Sequence, residues 1–449
     1  MEPMKISVMW FRADLRLTDH PALVAAVEAA DHVVPLVVLD DHVWAPGASV
    51  RQAYLAQLLQ DFSDRIGGLH VVHGSPVEEV LRVARDVGAD TVHVTADFTP
   101  YGAQRDDDVE QALAEHDIAL IRTGSPYAVS PGRITKGDHT PYRVFTPFFR
   151  VWADHGWREP AAEPDVAWVR PDSRTHPISE VTWPDGVVPA EAGELAARDR
   201  WHQFLDNDVA DYADIRDLPG TDRTSRMSTH LAWGTIHPRT MLADLAARRS
   251  PGADAYVRQL AFREFYADVL HHRPDSAFDY YDPKYRQMEY DEPGADLDAW
   301  KHGQTGIPIV DAGMRQLLAE GWMHNRVRMI VASFLVKDLH LEWQHGAAYF
   351  LDRLIDADLA SNQHGWQWVA GCGTDAAPYF RVFNPMTQGK KFDADGTYVR
   401  RWVPELRDVP DRHVHTPWEL TDPPQGYPAP LVDHAEERAE ALRRYRGLP

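Results

Sequence analysis

The first 122 residues alternate short apolar runs with amphipathic periods, and beyond residue 191 that alternation stops. Residues 6–11, 33–39, 69–72, 91–95 and 118–122 read as strands. Between them, residues 21–30, 50–66, 77–87 and 106–115 carry apolar side chains at i, i+3 and i+4, the mark of amphipathic helices. Strands that are apolar throughout and separated by helices are buried on both faces and run parallel. The pattern predicts an α/β, doubly wound parallel-sheet domain over residues 1–131. Residues 132–197 read as an interdomain linker, since the stretch 158–189 is rich in Pro, Asp and Ser and has no sustained period. Helical periods at 198–207, 238–249, 253–271, 311–319, 325–337 and 346–359, with almost no strand-like runs, predict an all-α domain over 198–449.

The same chain excludes several classes of function. It has neither a G-x-G-x-x-G after the first strand nor a G-x-x-x-x-G-K-[ST], so no dinucleotide fingerprint and no phosphate loop is visible. No basic leader with an apolar run opens it and no stretch is long enough to span a bilayer, which makes the cytoplasm the expected compartment. Cys372 is the only cysteine, so an internal disulfide and a cysteine-held cluster are both out of reach. The histidines show no repeating ligand spacing, and no metal is assigned. A net charge of −22 counts against nucleic acid. Whole-chain charge still permits a local basic groove.

Four clusters stand out, each with an ordinary explanation beside the functional one. Asp356, Asp358 and Asn362 read as the end of an amphipathic helix running into Gly365-Trp366-Gln367-Trp368. Acids sit poorly at a helix C-terminus, where the dipole favours cations, although a solvated helix end would also account for them. Thr224-Ser225-Arg226-Met227-Ser228 precedes an apolar helical run and suits either a phosphate or a plain helix cap. Phe262-Arg263-Glu264-Phe265-Tyr266 and the run from Trp322 to Met329 combine aromatics with arginines. That mixture serves splayed bases, and equally a core-facing helix whose arginines reach solvent.

Taken together, WFRADLRLTDHPAL, TSRMSTHLAWGTIHPR, FREFY, GWMHNRVRM and DADLASNQHGWQWVAGCGTDAAPYFRVFNP occur in the order of the photolyase/cryptochrome family, which the whole chain resembles. Within it the chain is most similar to class I cyclobutane pyrimidine dimer DNA photolyases. The resemblance implies a helical domain that binds FAD, and UV-damaged DNA as the partner of a monomeric, blue-light-driven repair lyase. It likens Tyr212, Thr224, Ser225, Arg226, Met227, Ser228, Tyr256 and Arg263 to residues that bind the cofactor, the 224–228 cluster at its phosphates. Asn325, Arg328, Asp356 and Asp358 resemble residues around the flavin and adenine, with Arg328 and Asp356 expected to pair. Asn362 resembles the residue facing flavin N5; plant cryptochromes place an acid there. Trp366, Trp343 and Trp300 resemble a chain of three tryptophans carrying an electron from the surface to the flavin. Arg216, Gln259, Phe262, Arg263, Arg326, Met329, Trp368, Arg381 and Gln388 resemble residues that contact DNA or its lesion.

The chain departs from this pattern in the lesion pocket. Dimer-specific enzymes read Asn-Glu-Leu-x-Trp-Arg-Glu-Phe where Arg258-Gln259-Leu260-Ala261-Phe262-Arg263-Glu264-Phe265 stands here. Gln259 keeps the size of the acid and loses its charge, and Phe262 offers less stacking area than tryptophan. Asp97-Phe98-Thr99-Pro100-Tyr101-Gly102, with Arg51, resembles part of a second, antenna chromophore site, open to a deazaflavin, a folate, another flavin or no chromophore, with the deazaflavin favoured. The in-family alternative is a cryptochrome-like flavin photoreceptor with weak or no repair. From another class, a light-independent redox flavoprotein would need the nicotinamide fingerprint that is absent.

Overall fold

The computed structural model describes residues 4–44, 49–172, 175–178, 183–375 and 380–448. Parts of the expected linker (173–174 and 179–182), and residues 376–379 of the last family motif, lie outside them. The chain divides into two compact units: 1–184 with 189–210 and 225–274, and 185–188 with 211–224 and 275–449.

The first unit holds strands β1 (Ile6–Phe11), β2 (His32–Leu39), β3 (His70–His73), β4 (Thr91–Val94) and β5 (Ala119–Arg122), parallel throughout and ordered β3-β2-β1-β4-β5. Helices α1 (Pro21–Ala29), α2 (Ser49–Ile66), α3 (Pro76–Asp86) and α4 (Pro100–Ala114) separate them. Val8, Trp10, Val34, Leu36, Val92 and Val94 are buried under these helices, as a doubly wound sheet requires. The strand order reverses beside β1, the place where open α/β sheets take ligands. Helix α4 starts six residues before the expected position 106. Thr99 caps it, its hydroxyl accepting from the Gly102 N–H at 3.1 Å, and Pro100 occupies the first turn, where a missing N–H costs nothing.

This unit also holds four further longer helices, α5 (Phe145–His155), α6 (Glu194–Asn207), α7 (Pro238–Ala246) and α8 (Pro251–His272). Here the expected organisation differs from the observed one. Residues 132–197 contain a helix, α5, that buries Phe145, Phe148 and Trp152, and α6 to α8 group with the sheet rather than with the later helices. Buried carboxylates tie α8 to the 128–132 segment and to α5. Glu264 accepts from the N–H groups of Ala128 and Val129 (2.5 and 3.0 Å) and from Trp152 Nε1 (2.6 Å), while Asp268 accepts from the Gly132 N–H at 2.7 Å. Burial raises the Glu264 carboxyl to about 7 against these stabilising bonds. Replacing Glu264 by alanine would leave three buried donors unpaired, and we expect a loss of about 4 kcal/mol, readable as a lowered urea midpoint. A change below about 1 kcal/mol would mean that the 128–132 segment is held by other contacts.

The second unit is helical, with α9 (Pro308–Glu320), α10 (Asn325–Lys337), α11 (Trp343–Arg353), α12 (Leu359–Ala370) and α13 (His434–Arg446) as its longer members. Val327, Ile330, Val331, Phe334 and Leu335 of α10 lie at the centre of its core. The helix expected over 346–359 ends instead at Arg353 and is followed by a separate one from Leu359. Asp358 is the N-cap of α12, its Oδ1 accepting from the Ser361 N–H at 2.8 Å. The acid therefore stands at the end of a helix dipole that favours it, which removes the objection raised by the sequence. No described helix is long and apolar enough to cross a membrane.

Candidate functional site

The α10–α11–α12 layer of the second unit lines an open recess of about 150 Å³. Asn325, Arg328 and Met329 line it from α10, Asp356 and Asp358 from the 354–358 connection, and Asn362 and Trp366 from α12. Seven residues that the sequence spreads over 42 positions thus face one cavity. Asn325 opens α10 and Leu359 opens α12, so both helices begin at the recess.

Polar groups converge there. Arg328 Nη2 donates to Asp356 Oδ2 at 2.7 Å, the expected pair, and Arg328 Nε donates to the Met323 carbonyl at the same distance. The Asp356 side chain is fully buried, while that of Arg328 keeps 23% of its exposure. Among the described residues no donor meets the other oxygen, Asp356 Oδ1. A buried carboxylate oxygen without a partner is costly, so a ligand N–H or O–H at this wall would be favoured. A flavin nucleotide carries both kinds of donor, so its chemistry fits these residues. Asn362 Nδ2 donates to the Ala347 carbonyl (3.0 Å) and to Gln363 Oε1 (2.9 Å), so the side chain that resembles the N5 neighbour is held by two bonds. Burial lowers the neighbouring His364 to about 4, which leaves it neutral near pH 7.

The tryptophans are arranged differently from the expected surface-to-flavin series. Trp366 contacts Trp300, with ring centroids 6.2 Å apart, and Phe350 at 5.1 Å. Its ring also lies against Gly346 of α11, where a Cβ would collide with it. Trp300 and Trp343 are both 0% exposed and Trp366 is 3% exposed, so none of the three meets solvent directly. Trp300 Nε1 donates to the Val331 carbonyl at 3.1 Å, an anchorage inside the core.

A second, much smaller recess, of about 30 Å³, is lined by Trp368 and Arg381 together with Lys337, Phe380 and Tyr445. The Lys337 ammonium donates to the Arg381 carbonyl and sits 4.4 Å from the Phe380 ring centroid. Burial pulls it down to about 7. Lys337 was missed in the sequence, where a lysine within an otherwise apolar run (IVASFLVKDL) was the available signal.

The other residues named from the sequence are placed as follows. In the first unit the Ser225 and Tyr256 hydroxyls meet at 2.7 Å, and the Ser225 hydroxyl also accepts from the Met227 N–H at 3.3 Å. Arg226 holds a left-handed backbone conformation at the start of a short helix (Met227–Ala232) that contains Ser228. Arg263 donates to the carbonyls of Pro126 (3.0 Å) and Leu231 (3.3 Å) and lies over the Tyr127 ring, so it ties the 126–127 loop to the short helix within its unit. Gln259 is half-buried on α8. Phe262 stacks on Phe145 with centroids 3.4 Å apart, which covers one of its faces. In the second unit Arg326 pairs with Asp217 at 2.9 Å and lies over Phe392, while Arg381 is exposed. Arg216, Thr224 and Gln388 are half-buried, and burial raises the Tyr212 phenol to about 12. In the antenna segment, Tyr101 stacks on His42 with centroids 3.8 Å apart and donates to Asp40, whereas Arg51 lies over Trp233.

Residues 7–165 match the family profile described as DNA photolyase, and residues 256–447 match the FAD binding domain of DNA photolyase. A deoxyribodipyrimidine photo-lyase of Streptomyces griseus is 42% identical over 99% of this chain and 100% of its own length. Among solved structures, a bacterial class III photolyase from Agrobacterium tumefaciens is similar with a TM-score of 0.93, 34% identity and coverage of 99% and 98% of the two chains. An archaeal photolyase from Sulfolobus tokodaii with two FAD molecules matches at a TM-score of 0.86 and 28% identity, covering 99% of this chain and 100% of its own. A Synechocystis cryptochrome matches at 0.91 and 26%, with the same coverage. With both profiles matched in order and relatives aligned from end to end, the chain belongs to the photolyase/cryptochrome family and carries that family's FAD-binding domain.

Proposed function

We propose that this protein is a deoxyribodipyrimidine photo-lyase that repairs cyclobutane pyrimidine dimers in DNA under blue light. The observation that carries this reading is the recess holding the Arg328–Asp356 pair, the capped Asp358, Asn362 and Trp366 on consecutive elements. Reduced FAD, when bound and excited, supplies the electron that opens the cyclobutane ring. The protein's share is to hold, orient and exclude water. Asp356, anchored by Arg328, would accept a hydrogen bond from the flavin nucleotide, and Asn325 and Asp358 would hold it at the starts of α10 and α12. Asn362, its amide already fixed, would face the reactive edge of the ring without offering a carboxylic acid proton. Trp366, Trp343 and Trp300 would pass electrons inward when the cofactor is oxidised.

The DNA reading follows the base-flipping logic of such enzymes, whose target must leave the stack to be reached. In the second unit, exposed Arg381 and half-buried Arg216, with Trp368 and Met329, would contact DNA; in the first, Gln259 and Phe262 are proposed as lesion contacts on the family resemblance alone. These local cations would offset a net charge of −22. Restoring the acid by Gln259→Glu should raise the repair yield, measured on an oligonucleotide with one thymine dimer; an unchanged or lower yield would count against Gln259 as a lesion contact. The segment Asp97–Gly102 of the first unit, with Arg51, would hold an antenna chromophore, a deazaflavin by preference, with a folate or a second flavin, as named for the archaeal relative, as competitors. Incubating that oligonucleotide with reduced protein tests the reading directly: repair in blue light and none in darkness is expected, and equal turnover in the dark would refute it.

A further inference from the structure

The three tryptophans of the proposed electron path are all buried, so an oxidised one has little water beside it to take up its charge or its proton. Trp343 makes one aromatic contact that leads away from the recess. Its ring meets Tyr280 edge-on, with centroids 6.2 Å apart and planes at 85°. Tyr280 is 3% exposed and stacks at 6.3 Å on Tyr290, which is half-buried and reaches solvent. The Tyr280 hydroxyl donates to Glu342 Oε1 at 2.9 Å. Glu342 immediately precedes Trp343 at the start of α11, so donor ring, proton acceptor and tryptophan are locked together by two adjacent residues.

We infer that Tyr280 is the terminal electron donor of this path and that Glu342 accepts its proton, giving a neutral tyrosyl radical beside Trp343. The inference rests on the assignment of Trp343 to the electron path in the proposed function. The step balances. A light-excited oxidised flavin is the oxidant, and through the tryptophans it leaves a one-electron-oxidised indole at Trp343. That indole takes one electron from Tyr280, the phenolic O–H bond breaks, and its proton forms an O–H bond on the Glu342 carboxylate. The products are a neutral indole, a neutral phenoxyl radical and a glutamic acid. A phenol oxidised without proton loss would carry a positive charge in a buried site, and a carboxylate already at hydrogen-bond distance avoids that cost. Burial first, then Tyr290 and Glu342, raises the Tyr280 phenol above its ordinary range, so it holds its proton until it is oxidised. Oxidation of a tryptophan terminus exposed to water would need no such acceptor. The hydrogen bond to Glu342 is therefore the feature specific to a tyrosine terminus.

Flavin-loaded, oxidised full-length protein, illuminated and frozen, provides the test through electron paramagnetic resonance, with natural or ring-deuterated tyrosine. The expected spectrum narrows on tyrosine deuteration. Tyr280→Phe should abolish that component and leave an indole radical, and Glu342→Gln should lower the tyrosyl yield about tenfold. A spectrum insensitive to tyrosine deuteration, or a tyrosyl signal surviving Tyr280→Phe, would overturn the inference; an unchanged yield in Glu342→Gln would overturn the proton acceptor. An indole radical that disappears in Trp343→Phe, with no tyrosyl component in the wild type, would overturn Tyr280 and leave the electron path standing. No light-induced radical at all would remove both.

Discussion

Asp356→Ala should yield a folded protein that purifies almost free of flavin. Its carboxylate is fully buried, is held by Arg328 at 2.7 Å, and keeps one oxygen without a donor. Truncation removes the acceptor proposed for the cofactor and leaves the Arg328 guanidinium without its counter-charge. Breaking such a pair costs about 3 kcal/mol or more, which corresponds to about a hundredfold weaker FAD binding. Flavin fluorescence titration of the unfolded-and-refilled or apo protein would read the affinity, with far-ultraviolet circular dichroism as the control for folding. Asp356→Asn keeps the shape and loses the charge, so it should fall between the wild type and alanine. Normal flavin content in Asp356→Ala would place the cofactor elsewhere.

The second large effect concerns electron supply rather than binding. Trp343→Phe should slow light-driven reduction of the bound oxidised flavin by about tenfold or more, because phenylalanine is a far poorer donor than indole; that factor corresponds to about 1.4 kcal/mol in the barrier. Repair by protein reduced chemically beforehand should stay near the wild-type rate, since Trp343 lies outside the residues lining the recess. Loss of both activities would sink the electron-path assignment and recast Trp343 as a packing residue, a role its complete burial could also support.

How far the sequence reached depended on the kind of signal. The sheet was legible because fully buried parallel strands leave uninterrupted apolar runs, and all five appear within one or two residues of their expected ends. Helix ends were less so. The period of apolar residues continues across Leu354 to Ala357, and only the capping bond from Ser361 to Asp358 shows that a new helix starts there. The grouping of α5 to α8 with the sheet was not legible, because it rests on contacts far apart in sequence, such as Glu264 and Asp268 accepting backbone donors more than 130 residues away and Glu194 accepting from Leu17 and Thr18. A buried glutamate reads in sequence like any solvated one. The recess residues from Asn325 to Trp366 were found through family motifs, not through periodicity, and the Arg328–Asp356 pair is present as expected. Side-chain neighbours were the main omission. Phe145 over Phe262, Asp217 on Arg326, and Tyr280 with Glu342 beside Trp343 all come from elements distant in sequence or in small side chains with no motif of their own.

The central claim is that the reduced flavoprotein turns light into dimer repair. Protein photoreduced under anaerobic conditions, mixed with DNA carrying thymine dimers and exposed to blue light, should restore the ultraviolet absorbance of the paired bases with each dimer split. Recovery of that absorbance in light and not in darkness is the predicted result. Normal flavin photoreduction without any recovery would contradict the claim and leave a photoreceptor that has kept the flavin chemistry and lost repair.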